Sequence, residues 1–265
     1  MSTTSTSDGV SISFEVHGEA AGPPVILVHG ITESSNTWRP VTEQLAKTHR
    51  VVTLDLRGHG NSADSTRYDL EAMANDVIAV VGAAEADNPH LVGHSLGGAV
   101  VSAVGAAIPV RSVVNVDQSL QLGSFKDLLM PVEPMLRDAS MFPAVIDGLF
   151  SQMAGEMISP ETSSELNKSR RASQEVVLGV WELIFTMSAE EIDAVVAGAL
   201  AGYSGRSVNY LSLFGIDPGD EYAAWLRNHI DGAVVELWPE MGHYPHLVDP
   251  GRFIERLERF WSTGS

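Results

Sequence analysis

Apolar and polar positions follow two rhythms along the first half of the chain. Residues 10–17 alternate apolar and polar side chains, which predicts a strand with one face buried. Residues 24–28 and 51–56 are continuous apolar runs, as expected of strands covered on both faces. Residues 90–92 and 111–116 read as two further strands. Between them, residues 68–83 and 97–107 carry helical periodicity. Strands alternating with helices predict an α/β fold built on a doubly wound, mostly parallel sheet.

The alternation stops near residue 119. From there to residue 203 only helical patterns occur, over 125–137, 142–157, 161–187 and 189–201, with breaks marked by Pro131, Pro143 and Pro160. Strand patterns resume at 208–214 and 234–238, and a last helix is expected over 250–261. Residues 1–118 and 204–265 are therefore expected to form a core domain. Residues 119–203 are expected to form a helical cap, or lid, over the C-terminal edge of the sheet, where ligands bind in open α/β folds.

Chemistry concentrates where the strand at 90–92 meets the helix at 97–107. Gly93-His94-Ser95-Leu96-Gly97 is a G-x-S-x-G motif between a strand and a helix. A serine on such a strained turn is lifted clear of the sheet, where a base can reach it. The helix N-terminus places free N–H groups, led by Leu96, beside the reacting atom. Ser95 is the expected nucleophile. A serine needs an adjacent base. Of nine histidines, His243 in Gly242-His243-Tyr244-Pro245-His246 follows the last predicted strand, at the same sheet edge as Ser95. His246 is the weaker rival. A second oxyanion donor is expected from His29-Gly30-Ile31-Thr32, through the N–H of Ile31. Gly30, His94 and Trp181 are candidates for substrate binding.

Composition narrows the field. The 265 residues carry 16 basic against 34 acidic side chains, a net charge of -18, which disfavours nucleic acid and anionic membranes as partners. The absence of cysteine excludes disulfides, thiolate metal sites and a cysteine nucleophile. Residues 1–9 are polar and lack the apolar centre of a signal peptide. No apolar stretch approaches the ~20 residues of a membrane span. A cytoplasmic enzyme is expected. No H-E-x-x-H, Walker loop or dinucleotide fingerprint is present, so no metal and no cofactor are expected.

His29-Gly30, the Asp55-x-Arg57-Gly58-x-Gly60-x-Ser62 segment, Gly93-His94-Ser95-Leu96-Gly97-Gly98 and Gly242-His243 occur in one order along nearly the whole chain. In these pieces the chain resembles the α/β-hydrolase superfamily. The resemblance implies a sheet of about eight strands with a cap, a Ser–His–acid triad and acyl transfer to water. It also implies that Arg57 and His59 hold a loop.

The acid departs from the pattern of most relatives, which place it three residues past the glycine ending the strand after the cap. Here that glycine is Gly215 and the third residue on is Pro218. Asp217 comes one place early, and Asp217-Pro218-Gly219-Asp220 has type II turn chemistry, with Asp220 placed to cap the next helix. The alternative is Asp117, at the end of the strand after the elbow helix. A minority of the superfamily takes its acid there, including haloalkane dehalogenases, coelenterazine luciferases and zearalenone lactonases. Asp117 is favoured and Asp217 stays open. A dehalogenase reaction is excluded, because those enzymes need a carboxylate where Ser95 stands.

Residues 119–203 also hold Met130, Met135, Met141, Phe142, Phe150, Met153, Met157, Trp181, Phe185 and Met187. Most should pack the helices, with a few lining an adaptable apolar pocket. The expected activity is hydrolysis of small apolar carboxylic esters or lactones through an acyl-enzyme on Ser95. Alternatives are a cofactor-free perhydrolase or C–C bond hydrolase on the same triad, and a hydrolase-derived binding protein.

Overall fold

A computed structural model describes residues 1–19 and 22–263. The last two residues assigned to the core domain, 264–265, lie outside them. The strands are β1 (Ser2–Ser5), β2 (Ser11–His17), β3 (Val25–Val28), β4 (Val51–Leu54), β5 (His90–His94), β6 (Ser112–Val116), β7 (Asn209–Phe214) and β8 (Val234–Leu237). They form one eight-stranded sheet in the order β1-β2-β4-β3-β5-β6-β7-β8. Pairing from β4 to β8 is parallel, while β1–β2 and β2–β4 are antiparallel. The α/β architecture expected from the alternating pattern is the one found.

Helices cover both faces. They are α1 (Arg39–Leu45), α2 (Leu70–Ala83), α3 (Leu96–Ala107), α4 (Phe125–Leu129), α5 (Glu133–Arg137), α6 (Phe142–Ala154), α7 (Pro160–Ser169), α8 (Gln174–Thr186), α9 (Ala189–Leu200), α10 (Tyr222–His229), α11 (Pro245–Val248) and α12 (Pro250–Thr263). Successive strand residues point to opposite faces. Ile26 and Val28 join Val77, Val100 and Val104 on one side, whereas Val25 and Leu27 join Trp38, Phe253 and Phe260 on the other. A third apolar cluster lies within the helices between β6 and β7, where Phe142, Phe150, Val177 and Trp181 pack with Ile31.

Several sequence expectations change. The polar residues 2–5 are an edge strand, and serine and threonine suit an exposed edge. The helical stretch 161–187 is two helices, because the Arg171 N–H leaves the helical ladder and donates to the Thr32 carbonyl at 2.9 Å. The stretch 125–137 is also split, since Pro131 and Pro134 lack the N–H a continuous helix needs. Asp220 does not cap α10, whose N-cap is Glu221.

Arg57 ties the N-terminal hairpin to the sheet. Its guanidinium is fully buried, with Nη2 2.7 Å and Nε 2.8 Å from the buried Asp76 carboxylate of α2. Nη1 lies 2.9 Å from Asp8, and this hydrogen bond holds the Asp8 carboxyl down to about 2. Truncating Arg57 leaves the buried Asp76 carboxyl without its counter-ion, with only the residue-57 backbone N–H, 3.4 Å from Oδ2, still donating to it. Arg57→Ala is expected to lower stability in urea unfolding by about 3–5 kcal/mol, with R57M/D76L recovering most of the loss. A loss below about 1 kcal/mol would show that the pair is not a structural anchor.

Candidate active site

Ser95 sits between β5 and α3 with φ 51° and ψ −125°, a left-handed backbone unusual for a side-chain-bearing residue. Its N–H donates to the Val116 carbonyl at 2.9 Å, and its carbonyl accepts from Gly98 at 2.7 Å. A Cβ at Gly97 would collide with the Val28 carbonyl oxygen, so only glycine lets α3 start this close to β3. Of six non-glycine residues with positive φ among those described, Thr32, Ser95 and Asp117 stand in this one region. Clustered strain of this kind is characteristic of functional sites.

The structure brings His243 to Asp117 and not to Asp217. His243 Nδ1–H donates to Asp117 Oδ2 at 2.6 Å, with both side chains buried. Asp117 Oδ1 accepts from the backbone N–H groups of Gly215 at 2.7 Å and Ile216 at 3.0 Å. The turn after β7 thus supplies backbone donors to the Asp117 carboxylate. A Cβ at Gly215 would collide with the Gly242 carbonyl, so this turn is pressed against the loop carrying His243. Asp217 is exposed, and its Oδ1 accepts from the Gly219 N–H at 2.9 Å, closing its own turn.

With Nδ1 protonated, His243 Nε2 is left as an acceptor. It is buried and has no hydrogen-bond partner. Burial pushes the His243 imidazole below its ordinary value, against the upward pull of the Asp117 hydrogen bond. His246 lies elsewhere, 4.6 Å from the Trp38 ring and 4.5 Å from the His94 ring, with both ring nitrogens unpartnered.

The loop after β3 is held by two neutral histidines. His29 Nδ1–H donates to the Gly30 carbonyl at 2.7 Å, while Nε2 accepts from the Leu56 N–H at 3.0 Å. His59 Nδ1–H donates to the Arg57 carbonyl at 2.8 Å, and Nε2 accepts from the Thr32 N–H at 3.2 Å. Burial pushes both imidazoles down, His59 to about 3. The holding function expected of Arg57 and His59 is carried by these contacts.

Ser95, His243, Asp117, Ile31, Leu96 and Trp181 line one cavity of about 800 Å³. Its walls are mainly apolar and come largely from the segment between β6 and β7, including Phe125, Leu129, Phe150 and Met153. Its lining includes no lysine or arginine. Leu96 opens α3, so its N–H has no intrahelical acceptor. Gly30 and His94, expected among the substrate-binding residues, are not among those that line the cavity. The Gly30 N–H is turned to Glu33 Oε2 at 3.0 Å. The His94 ring, at the end of β5, is fully buried behind Ser95, with Nε2–H donating to the His243 carbonyl at 2.7 Å. Glu33 escaped the sequence reading, because a lone acid in a polar loop carries no periodic signal.

Residues 25–256 match the family model described as the alpha/beta hydrolase family. The chain belongs to this family and is a hydrolase. It is 27% identical over 292 residues to an uncharacterized protein of Mycobacterium tuberculosis, covering 97% of this chain and 80% of that one. Among solved structures, it is similar to a Burkholderia cenocepacia protein described as a candidate aryl esterase, at TM-score 0.80 and 26% identity, over 99% and 98% of the two chains. An esterase from Exiguobacterium antarcticum shares the fold at TM-score 0.79 and 21% identity, over 99% of both chains. Among the described residues no helix is long and apolar enough to cross a membrane.

The buried imidazoles set the acid stability. Burial holds His29, His59, His243 and His246 below the ordinary value in the folded chain. Unfolded, each titrates near about 6.5. As the pH falls through that value, the unfolded state binds protons the folded state refuses, so stability declines from there downward. Thermal melts should show a Tm that falls as the pH drops from about 6.5 towards about 4. An unchanged Tm across that range would contradict the neutral burial of these rings.

Proposed function

We propose that this α/β hydrolase is a serine hydrolase of apolar carboxylic esters, open-chain or cyclic, with Ser95, His243 and Asp117 as its triad. One observation carries the reading: His243, fixed by Asp117 at 2.6 Å and with its Nε2 unpartnered, lines the same cavity as Ser95. In this mechanism Nε2 takes the Ser95 hydroxyl proton as Oγ attacks the substrate carbonyl carbon. The developing oxyanion is received by the N–H groups of Ile31 and Leu96. The tetrahedral intermediate expels the alcohol, which takes the proton from His243. Water, deprotonated by His243, then releases the acid from the acyl-enzyme. Asp117 keeps the imidazole in the productive tautomer and stabilises its charged form.

Residues 119–203 act in this reading as a cap that shapes the substrate cavity. Its volume of about 800 Å³ suits a molecule of drug-like size. Apolar walls favour uncharged acyl and alcohol groups. Asp69 and Glu71 pair with Arg67, and Glu182 pairs with Arg137, but the lining itself holds these carboxylates with those of Asp117 and Asp217 and no lysine or arginine, which disfavours anionic substrates. A lactone is an internal ester and follows the same steps, with the alcohol retained in the product.

Ser95→Ala should lose about 10⁴-fold or more in kcat on p-nitrophenyl esters, and His243→Ala should match it with little further loss in the double variant. Retention of a tenth of wild-type turnover by Ser95→Ala would refute the nucleophile and favour a different chemistry or a binding role. Across acyl chains, kcat/KM should rise with apolar length, and a succinyl monoester should fall below the butyryl ester. A preference for the succinyl ester would overturn the apolar-substrate reading.

The acid is tested separately. Asp117→Asn should lose about 10⁴-fold in kcat, while Asp217→Asn should keep near-normal turnover and lose mainly stability through its turn. An inactive but folded Asp217→Asn beside a nearly normal Asp117→Asn would move the acid to Asp217.

A further inference from the structure

Behind the cavity lies a buried acid–imidazole pair that the reaction itself does not use. The side chains of Glu33 and His94 are essentially buried, with His94 Nδ1 3.4 Å from Glu33 Oε2. The same carboxylate oxygen accepts from the Gly30 N–H at 3.0 Å, one residue before Ile31. The other ring nitrogen, Nε2, donates to the backbone carbonyl of His243 at 2.7 Å. The ring is thus wedged between a backbone carbonyl and a carboxylate. Burial raises the Glu33 carboxyl, yet the neighbouring His94 and Arg170 outweigh it and hold the group below the usual carboxylate range.

This pair is the link between two loops that belong to different parts of the sheet. On one side is the loop after β3, with Ile31. On the other is the loop after β8, with His243. The backbone of His243 is held at both ends, since its N–H also donates to the Met153 carbonyl of α6 at 2.9 Å. The His94 ring fills the space between them, 4.6 Å from the His243 ring and 4.9 Å from the Tyr244 ring. The chain between α7 and α8 extends the same brace: the Arg171 N–H donates to the Thr32 carbonyl, and the Arg170 guanidinium donates to the Tyr244 hydroxyl.

We propose that Glu33, acting through His94, is a positioning residue that sets the oxyanion loop and the base loop in register with each other. The inference rests on the serine-hydrolase reading above. Neither side chain touches the cavity, so removing Glu33 leaves the substrate surface intact. The proposed consequence is a misplacement of the Ile31 N–H relative to the His243 imidazole. A displacement of about 1 Å at such distances can cost about 10²-fold in rate.

The test compares E33A, E33Q, H94F and E33A/H94F with wild type on a p-nitrophenyl ester, using burst amplitudes to count competent sites and near-ultraviolet circular dichroism to confirm the fold. E33A should lose about 10²-fold in kcat per competent site with KM within about threefold. E33Q, whose amide oxygen still accepts from the Gly30 N–H, should recover most of that loss. H94F should match E33A, and the double variant should be little worse than either, because the two residues act as one unit. A folded E33A or H94F with kcat within about threefold of wild type overturns the proposal, as does E33Q as impaired as E33A. Should E33A not fold, H94F and E33Q decide the matter alone. Ser95→Ala run beside them keeps the two questions apart. If it retains turnover, the triad reading fails. If it is inactive while E33A is normal, only the positioning role fails.

Discussion

One carboxylate joins the three chain segments on which the site stands. Asp117 ends β6 in the left-handed region at φ 53°, and its N–H donates to the Leu213 carbonyl of β7 at 2.8 Å. Its side chain then accepts from Gly215 and Ile216 at the end of β7 and from His243 beyond β8. Two backbone donors and one imidazole give a buried carboxylate the partners it needs to stay in the interior. The arrangement depends on register. Val116 is paired with Leu213 in the parallel ladder, so a slip of one residue would turn Asp117 to the other face of the sheet.

The placement of Asp117 at the end of β6 has a counterpart after β7. There the chain turns at once, with Gly215 pressed against the Gly242 carbonyl and Gly219 at φ +94° in the following turn. Asp217 is spent on closing that turn. The two short segments, Gly215-Ile216 and Gly242-His243, therefore interlock around a side chain that comes from a third. Each is shaped by what it does for Asp117.

Several polar side chains are buried under the site, among them His29, His59, Glu33 and His94. His29 and His59 work as neutral rings, each donating from one nitrogen and accepting at the other. They tie the loop after β3 to the loop after β4 with bonds that need no counter-ion. The Glu33–His94 pair is different in kind, because a carboxylate in the interior is tolerated only beside a proton donor. The helical segment between β6 and β7 seals this layer from above. It donates a backbone N–H to Thr32 at Arg171 and accepts from His243 at Met153, so it is bonded directly to both loops.

Much of this was legible in the residues alone. Hydrophobic period separated strands from helices, because a strand covered on both faces, such as Val25–Val28, has no reason to carry polar residues. The glycine–serine spacing marked the elbow, because only glycines allow the close approach of α3 to β3. Even the departure at Pro218 was visible and pointed to Asp117. What local pattern cannot carry is which distant groups meet. Thr3 and Thr4 pair with β2 although nothing in their polarity marks a strand. The long helical pattern over 161–187 breaks where the Arg171 N–H meets the Thr32 carbonyl. His94 is next to Ser95 in the chain, yet its ring serves the carbonyl of a residue 149 positions away. The sequence determined the fold class and the candidate residues of the site, since period and spacing are properties of neighbouring residues. The tertiary structure decided that Asp117 rather than Asp217 meets His243, and that Glu33 stands behind them. Those choices are made by strand order and register, which bring together side chains no local pattern relates.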